Sequence, residues 1–297
     1  MKNQYLADLG DYGKYALLRF LASKGINIGV NWYLTPNDRS SDGKFTDYLE
    51  EPIKEWMHDT ELFDCLKTVY KRDGKSVLDI ECTNLIPGAI YFSDCLDQNN
   101  RSFFERDLNR NRWFEASVLA LKKAELIFAD PDNGISYRAT ARTKNNEKYI
   151  LPQEVERYYC EGKDVVFYCH KGRRSDAAWL KVRTQLKQRL GNAQILTLTY
   201  HKGTQRSYIF ALHPDSVNNY AEWIYSFVSN GWYPAFTSEG FTFRNVAEFQ
   251  DMYPTKPEKE HALKDLSNAQ IDLLIESCSN VQAKIFYATF KKSVKGK

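Results

Sequence analysis

The chain has 297 residues, an apolar fraction of 43% and a charged fraction of 27%: with 19 Tyr, 17 Phe and 6 Trp, this suffices for a packed globule and argues against disorder outside the very end. A formal net charge of +3 excludes an all-over polycation of the histone or ribosomal kind, so any contact with nucleic acid needs a local basic patch. The cysteines (Cys65, Cys82, Cys95, Cys160, Cys169 and Cys278) form no Cys-x-x-Cys pair and have no histidine spaced to complete a zinc site, and no window reaches the roughly eighteen apolar residues of a membrane span. A soluble cytoplasmic protein with reduced thiols is expected.

In chain order, the spacing of Tyr15, Leu17, Leu18, Leu21 and Ala22 predicts a helix over 13–23 that stops at Gly25. A strand over 26–34 follows, closed by the turn cluster Thr35-Pro36-Asn37-Asp38. Helical stretches are expected at 45–50 and 60–70, short strands at 76–82 and 89–93, and a long helix over 101–123 feeding a strand at 126–129. The second half reads helix 153–159, strand 165–169, helix 176–190, and then two β-rich runs, 194–200 and 207–212, joined by a segment short enough for a hairpin. A helix over 218–228 and an aromatic stretch of irregular or β structure containing Gly231-Trp-Tyr-Pro-Ala-Phe and Gly240-Phe-Thr-Phe come next. The organisation expected is an α/β domain over 1–250, a linker over 251–266 and a helical extension with a basic tail over 267–297.

The most informative segment is Asp130-Pro131-Asp132-Asn133-Gly134, set directly after an apolar strand. Polar groups in that position face the carboxyl edge of an α/β sheet, where ligands bind. Asp130, Asp132 and Asn133 are the candidate catalytic residues. They also supply hard oxygen ligands that suit Mg²⁺, with Asp94 as a third carboxylate; the bland alternative is a tight Asx turn in which Gly134 takes a positive φ.

A second constellation, Tyr168-Cys-His-Lys-Gly-Arg-Arg174, also follows a strand. His170 would open into the same crevice as Asp130 and act as general acid or base, while Lys171, Arg173 and Arg174 hold an anionic substrate. His201-Lys202-Gly203 repeats the tripeptide and is expected to be a solvated turn. In the long helix, Arg101, Arg106, Arg110, Arg112, Lys122 and Lys123 interleave with Phe103, Phe104, Trp113 and Phe114, a pattern that could track a phosphate backbone and stack bases; the preferred reading is a core-facing aromatic stripe with Arg106 and Arg110 on a solvated face. Asp8, Asp11 and Lys14 are expected to cap and pair.

On its Asn-Gln-Tyr start, its Asp11-Tyr-Gly-Lys14-Tyr helix opening and its Asp-Pro-Asp-Asn-Gly segment, the chain resembles a group of uncharacterised bacterial proteins. More distantly, over roughly residues 1–215, it resembles class I methyltransferases of the 23S rRNA adenine-N6 type and the partners of three-Cys-motif proteins. The resemblance implies a mostly parallel Rossmann-like sheet with a terminal antiparallel hairpin, S-adenosylmethionine as cofactor, and RNA or DNA as substrate. It places the cofactor against Asn31, Trp32, Glu81 and Asp94, with Glu81 on the ribose, and the substrate against Lys14, Tyr137, Lys171, Arg173 and Arg174. The chain departs from that pattern in two places. Asp132 and Asn133 replace the Pro and Tyr of the Asp-Pro-Pro-Tyr tetrapeptide, so base stacking would fall to Tyr137. The segment 31–38 stands where a glycine-rich loop would let the backbone approach the cofactor.

The leading expectation is therefore a nucleic-acid-directed, methyltransferase-related enzyme. The alternatives are a Mg²⁺-dependent nuclease or phosphotransferase using Asp94, Asp130 and Asp132, and a catalytically degenerate binding partner in a larger complex that docks a protein through its C-terminal helix.

Overall fold

Apolar and β-branched runs pair into a seven-stranded mixed sheet in the computed structural model, which describes residues 1–38, 43, 45–51, 58–72, 74–172, 174–239, 255–265 and 280–295, with single positions at 250, 271, 274, 275 and 278. The strands are β1 (Ile28–Asn31), β2 (Ile90–Phe92), β3 (Leu126–Ala129), β4 (Asp164–Cys169), β5 (Gln194–Tyr200), β6 (Arg206–Leu212) and β7 (Phe236–Glu239), in the order β2-β1-β3-β4-β6-β5-β7. The first four are parallel. β6 runs antiparallel to both β4 and β5, and β7 antiparallel to β5. The carboxyl ends of β2, β1, β3, β4 and β5 therefore share one edge.

Helices cover both faces. On one side α1 (Leu9–Ala22), α2 (Thr60–Tyr70), α3 (Val77–Glu81) and α7 (Val217–Phe227) enclose a core with Leu126, Phe128, Val166 and Phe210 from the strands. On the other, α4 (Phe103–Ala120), α5 (Pro152–Cys160) and α6 (Asp176–Leu190) pack on Ile127, Ala129, Val165 and Phe167. Strand side chains alternate between the two cores, and because both faces are covered, β1 and β3 are buried at every position.

Four expectations change. Residues 76–82 are not a strand. Ser76 caps α3 by accepting from Leu78 N, and the Asp79 carboxylate accepts from Ser76 N, a reciprocal pair that starts a helix and overrides the β-branched composition. Inside the expected linker, Lys256–Asp265 is helical; with Leu263, the residues Ile271, Leu274, Cys278 and Tyr287 build a small separate core, and the helix Val281–Lys295 follows it. Gly240 to Phe243 lie outside the described residues.

The third change concerns Arg110, which is 1% exposed rather than solvated. Its Nε and Nη2 donate to the two oxygens of Glu154 (2.7 and 2.8 Å), Nη1 donates to the backbone and side-chain oxygens of Asn146 (both 2.8 Å), and Nη2 also reaches the Tyr149 carbonyl (2.7 Å). A planar guanidinium satisfies that many acceptors at once, so its charge can be buried. The aromatic stripe of α4 also divides: Trp113 and Phe114 are in the core, whereas Phe103 and Phe104 face solvent. Among the described residues no helix is long and apolar enough to cross a membrane.

Replacing Arg110 by Met leaves the Glu154 carboxylate buried without its cation. A loss of about 3–5 kcal/mol is expected, read as a lower urea midpoint.

Candidate functional site

The carboxyl edge of the sheet holds a dense set of charges, drawn together by α1. Asp8 caps that helix by accepting from Asp11 N, which points the first turn at the strand tips. Asp8, Asp11 and Lys14 are three residues apart and share one helix face. Gly10 lets the helix approach β6, because a Cβ there would collide with the Arg206 guanidinium.

Lys14 Nζ lies 2.7 Å from Asp11 Oδ1 and 2.7 Å from Asp130 Oδ2, and all three residues are buried. Burial alone would lower the lysine's pKa, but the two carboxylates outweigh it and raise it above the ordinary value. Asp11 is pushed up to about 6 by burial, with Lys14 pulling it down and Asp8 and Asp130 adding to the rise. Around this triad, Arg206 Nη2 reaches Asp8 Oδ2 at 2.7 Å. The Met1 amino nitrogen lies 2.8 Å from Asp132 Oδ1 and donates to the carbonyls of Asp130 and Tyr33. Lys2 Nζ pairs with Asp38 and stands 3.8 Å from Asp132.

The loop after Asp130 is fixed by backbone contacts. Asn133 N donates to the Lys148 carbonyl (2.9 Å) and Ile150 N to the Gly134 carbonyl (3.0 Å). Gly134 has φ +85°, and a Cβ there would come within 2.5 Å of Cys169 Sγ and 2.6 Å of Cys169 Cα. Glycine is thus required twice, by conformation and by space.

The residues expected to hold a cofactor are placed differently. Asn31 is buried at the end of β1, donating to the Tyr158 hydroxyl (3.1 Å) and accepting from Tyr33 N (3.0 Å). Trp32 is 0% exposed, stacks on Tyr91 with ring centroids 5.9 Å apart, and donates from Nε1 to Glu81 Oε1 at 2.8 Å. Tyr33 is equally buried and reaches Glu154. Glu81 sits on α3 rather than at a strand tip, and burial raises its pKa against the Trp32 hydrogen bond. Asp94 is exposed beyond β2, with β1 between it and β3. The residues present therefore do not fit S-adenosylmethionine: aromatic side chains fill the β1 tip, and the acidic group meant for the ribose is engaged by Trp32.

On the substrate side, β3 and β4 are parallel neighbours, so Asp130 and His170 follow adjacent strand ends. Asp130 is taken by Lys14, and among the described residues no hydrogen bond joins it to His170. The Arg174 guanidinium folds back onto the carbonyls of His170 and Lys171, and Lys171 is half-buried. Arg173 lies outside the described residues. Tyr137 donates to the Val182 carbonyl (2.9 Å), which ties its ring to α6 instead of leaving it free to stack on a base. His201 is exposed, as expected of a solvated turn, with its Nε2 2.6 Å from Thr237 Oγ1.

The Mg²⁺ trio is not assembled, and among the described residues no group of three or more His, Cys, Asp or Glu is placed to hold a metal. In the sequence Asp8 and Asp11 read as capping and pairing residues and Arg206 as a cation just beyond the His201 turn; the spacing of Asp8, Asp11 and Lys14 is the signal that could have joined them. Two surface hollows, of about 560 Å³ beside Arg19, Glu61 and Leu85 and about 360 Å³ beside Tyr159, Arg189 and His213, lie at the amino edge, away from these charges.

No protein-family model matches the chain, and no curated protein sequence is similar to it. Among solved structures, a protein of Legionella pneumophila str. Philadelphia 1 described under the family model DUF519 overlaps with a TM-score of 0.41 and 11% identity, covering 78% of this chain and 95% of that one. The overlap is loose, and nothing about the site is carried over from it.

Gly134→Ala is expected to cost more than about 2 kcal/mol, because strain at positive φ adds to the collision with Cys169; a urea titration reads it. Asp11 gives a pH signature. Its folded pKa lies above its ordinary value of 3.8, so the stability it contributes is fully present below that value and is lost as pH rises through about 6. Asp11→Asn, which cannot ionise, should therefore gain stability relative to the wild type between pH 4 and pH 6, as measured by denaturation across that window.

Proposed function

We propose that this chain is a nucleic-acid-directed protein built on the scaffold of class I S-adenosylmethionine-dependent methyltransferases, and that in the form described it binds its target without transferring a methyl group. The strand order supports the scaffold: a reversed β6 inserted between the parallel β4 and β5 is how such enzymes finish their sheets. The observation that carries the loss of transfer is the β1 tip, where Trp32 and Tyr33, both 0% exposed, occupy the space that a glycine-rich loop opens for the cofactor. The departure of Asp132 and Asn133 from Asp-Pro-Pro-Tyr points the same way.

Binding is supported by the placement of basic turns. The segment 170–174 follows β4 and the segment 201–205 follows β5, so His170, Lys171, Arg174, His201 and Lys202 belong to one sheet edge. Phosphates approached there meet positive charge beside the loop of Asp130.

A second reading, an active enzyme at this edge, is favoured by one observation: Asp11, which shares Lys14 with Asp130, is a buried carboxyl raised to about 6, the kind of perturbed group that marks catalytic sites. Calorimetric titration separates the two. S-adenosylmethionine, S-adenosylhomocysteine and Mg²⁺ are each expected to give no binding heat with the wild type, whereas short RNA and DNA strands bind. Saturable S-adenosylmethionine binding that Asp130→Asn abolishes would reverse the order of the two readings.

A further inference from the structure

The start of α4 carries an exposed pair of rings that the core does not use. Phe103 is 53% and Phe104 74% exposed, set edge to face with centroids 5.8 Å apart. The Arg142 guanidinium carbon lies 5.2 Å from one ring centroid and 5.8 Å from the other. Its Nε donates to Asp107 Oδ2 at 3.1 Å, which ties the β3–α5 connection to α4 and fixes the cation over the rings. One turn further along, Leu108 is also exposed. Trp113 and Phe114 on the same helix already supply its aromatic contribution to the core.

We propose that this surface is a stacking platform for single-stranded nucleic acid. The inference rests on the nucleic-acid reading above but uses a surface separate from the Asp130 charges. Two exposed rings with a guanidinium across them offer faces to two or more bases and a charge to the connecting phosphate. The surrounding charge selects that partner. In the segments 101–112 and 138–148 the half-buried or exposed Arg101, Arg106, Arg112, Arg138, Arg142, Lys144 and Lys148 outnumber Glu105, Asp107 and Glu147. A protein partner seeking only apolar contact would have to bury those cations. A polyphosphate backbone uses them.

Location extends the surface. Phe103 follows the carboxyl end of β2, Arg142 that of β3 and Arg174 that of β4, so one strand laid along this edge passes the rings and then the basic turn. Bases must be unstacked to lie on the rings, which favours single strands over duplex.

The test is fluorescence anisotropy at low salt, using labelled single-stranded RNA and DNA of about ten nucleotides, a length in the range that such grooves cover, and a duplex control. The wild type is expected to bind the single strands more tightly than the duplex. Phe103→Ala/Phe104→Ala should weaken that binding about tenfold or more, as loss of stacking on one base predicts. Phe104→Trp should hold it, and Arg142→Gln should weaken it with the fold intact. Both rings are exposed, so the alanine variant should keep the wild-type thermal midpoint. Wild-type affinity in the alanine variant would overturn the proposal; if Lys171→Ala/Arg174→Ala still weakens binding, the broader nucleic-acid reading stands. No binding of any strand by the wild type overturns both. A change of oligomeric state on removing the rings, with strand affinity unaltered, would assign the surface to protein contact and overturn it as well.

Discussion

A single buried ammonium organises the carboxyl edge of the sheet. Moving Lys14 out of water costs several kcal/mol, and one carboxylate in a low-dielectric setting does not reliably repay that cost. Two carboxylates at 2.7 Å, Asp11 on its own helix and Asp130 at the end of β3, hold the charge in place. The arrangement leaves one negative charge in excess, which the chain accommodates by raising Asp11. Because the two partners lie 119 positions apart in sequence, the ion pair also fixes where α1 sits on the sheet. Arg206 on Asp8 then ties the same helix to β6.

A second buried cation holds the opposite face. Arg110 grips Asn146 and Tyr149, and the chain between them delivers Lys148 O to Asn133 N, while Ile150 N reaches Gly134 O. The Asp130–Gly134 loop is therefore fixed from both cores, by Lys14 on one side and through the Arg110 connection on the other. Glu154 joins the two systems, since it pairs with Arg110 and also accepts the Tyr33 hydroxyl beside the β1 tip. Close packing at the β1 tip and rigidity of the loop thus have a common physical origin.

Much of the architecture was legible in the chain. Strands β3 and β5, and helices α2 and α6, match the expected ranges, because the strands are β-rich runs with clear ends and the helices open on capping residues, Asp59 and Ser175. Where sequence and structure part, the cause is shared: side-chain partners override local composition. The β-branched look of 76–82 hid the Ser76 and Asp79 capping pair. Arg110 read as solvated because its partner Glu154 lies 44 positions away. Phe103 and Phe104 read as core residues with Trp113 and Phe114, but at 3.6 residues per turn positions ten apart point roughly 80° apart, and the first turn of α4, with Leu108 after it, faces solvent. In the site, Asp130 was recognisable from its place after a strand, whereas its pairing with Lys14 required knowing which helix covers that tip.

The contrast between the closed edge and the open rim bears on how such a protein could act. Admitting a cofactor at β1 would mean moving Trp32 out of its stack on Tyr91 and away from Glu81, and exposing the Lys14 triad to water, a set of coupled losses rather than one rotamer change. Admitting a nucleic-acid strand at the rim requires none of this, since Phe103, Phe104 and Arg142 already face solvent. With rigid rings and a cation held by Asp107, little conformational freedom is lost on contact, so affinity can arise from stacking and charge alone. The same buried charges that hold the Asp130–Gly134 loop closed leave the Phe103–Arg142 surface open and fixed in place.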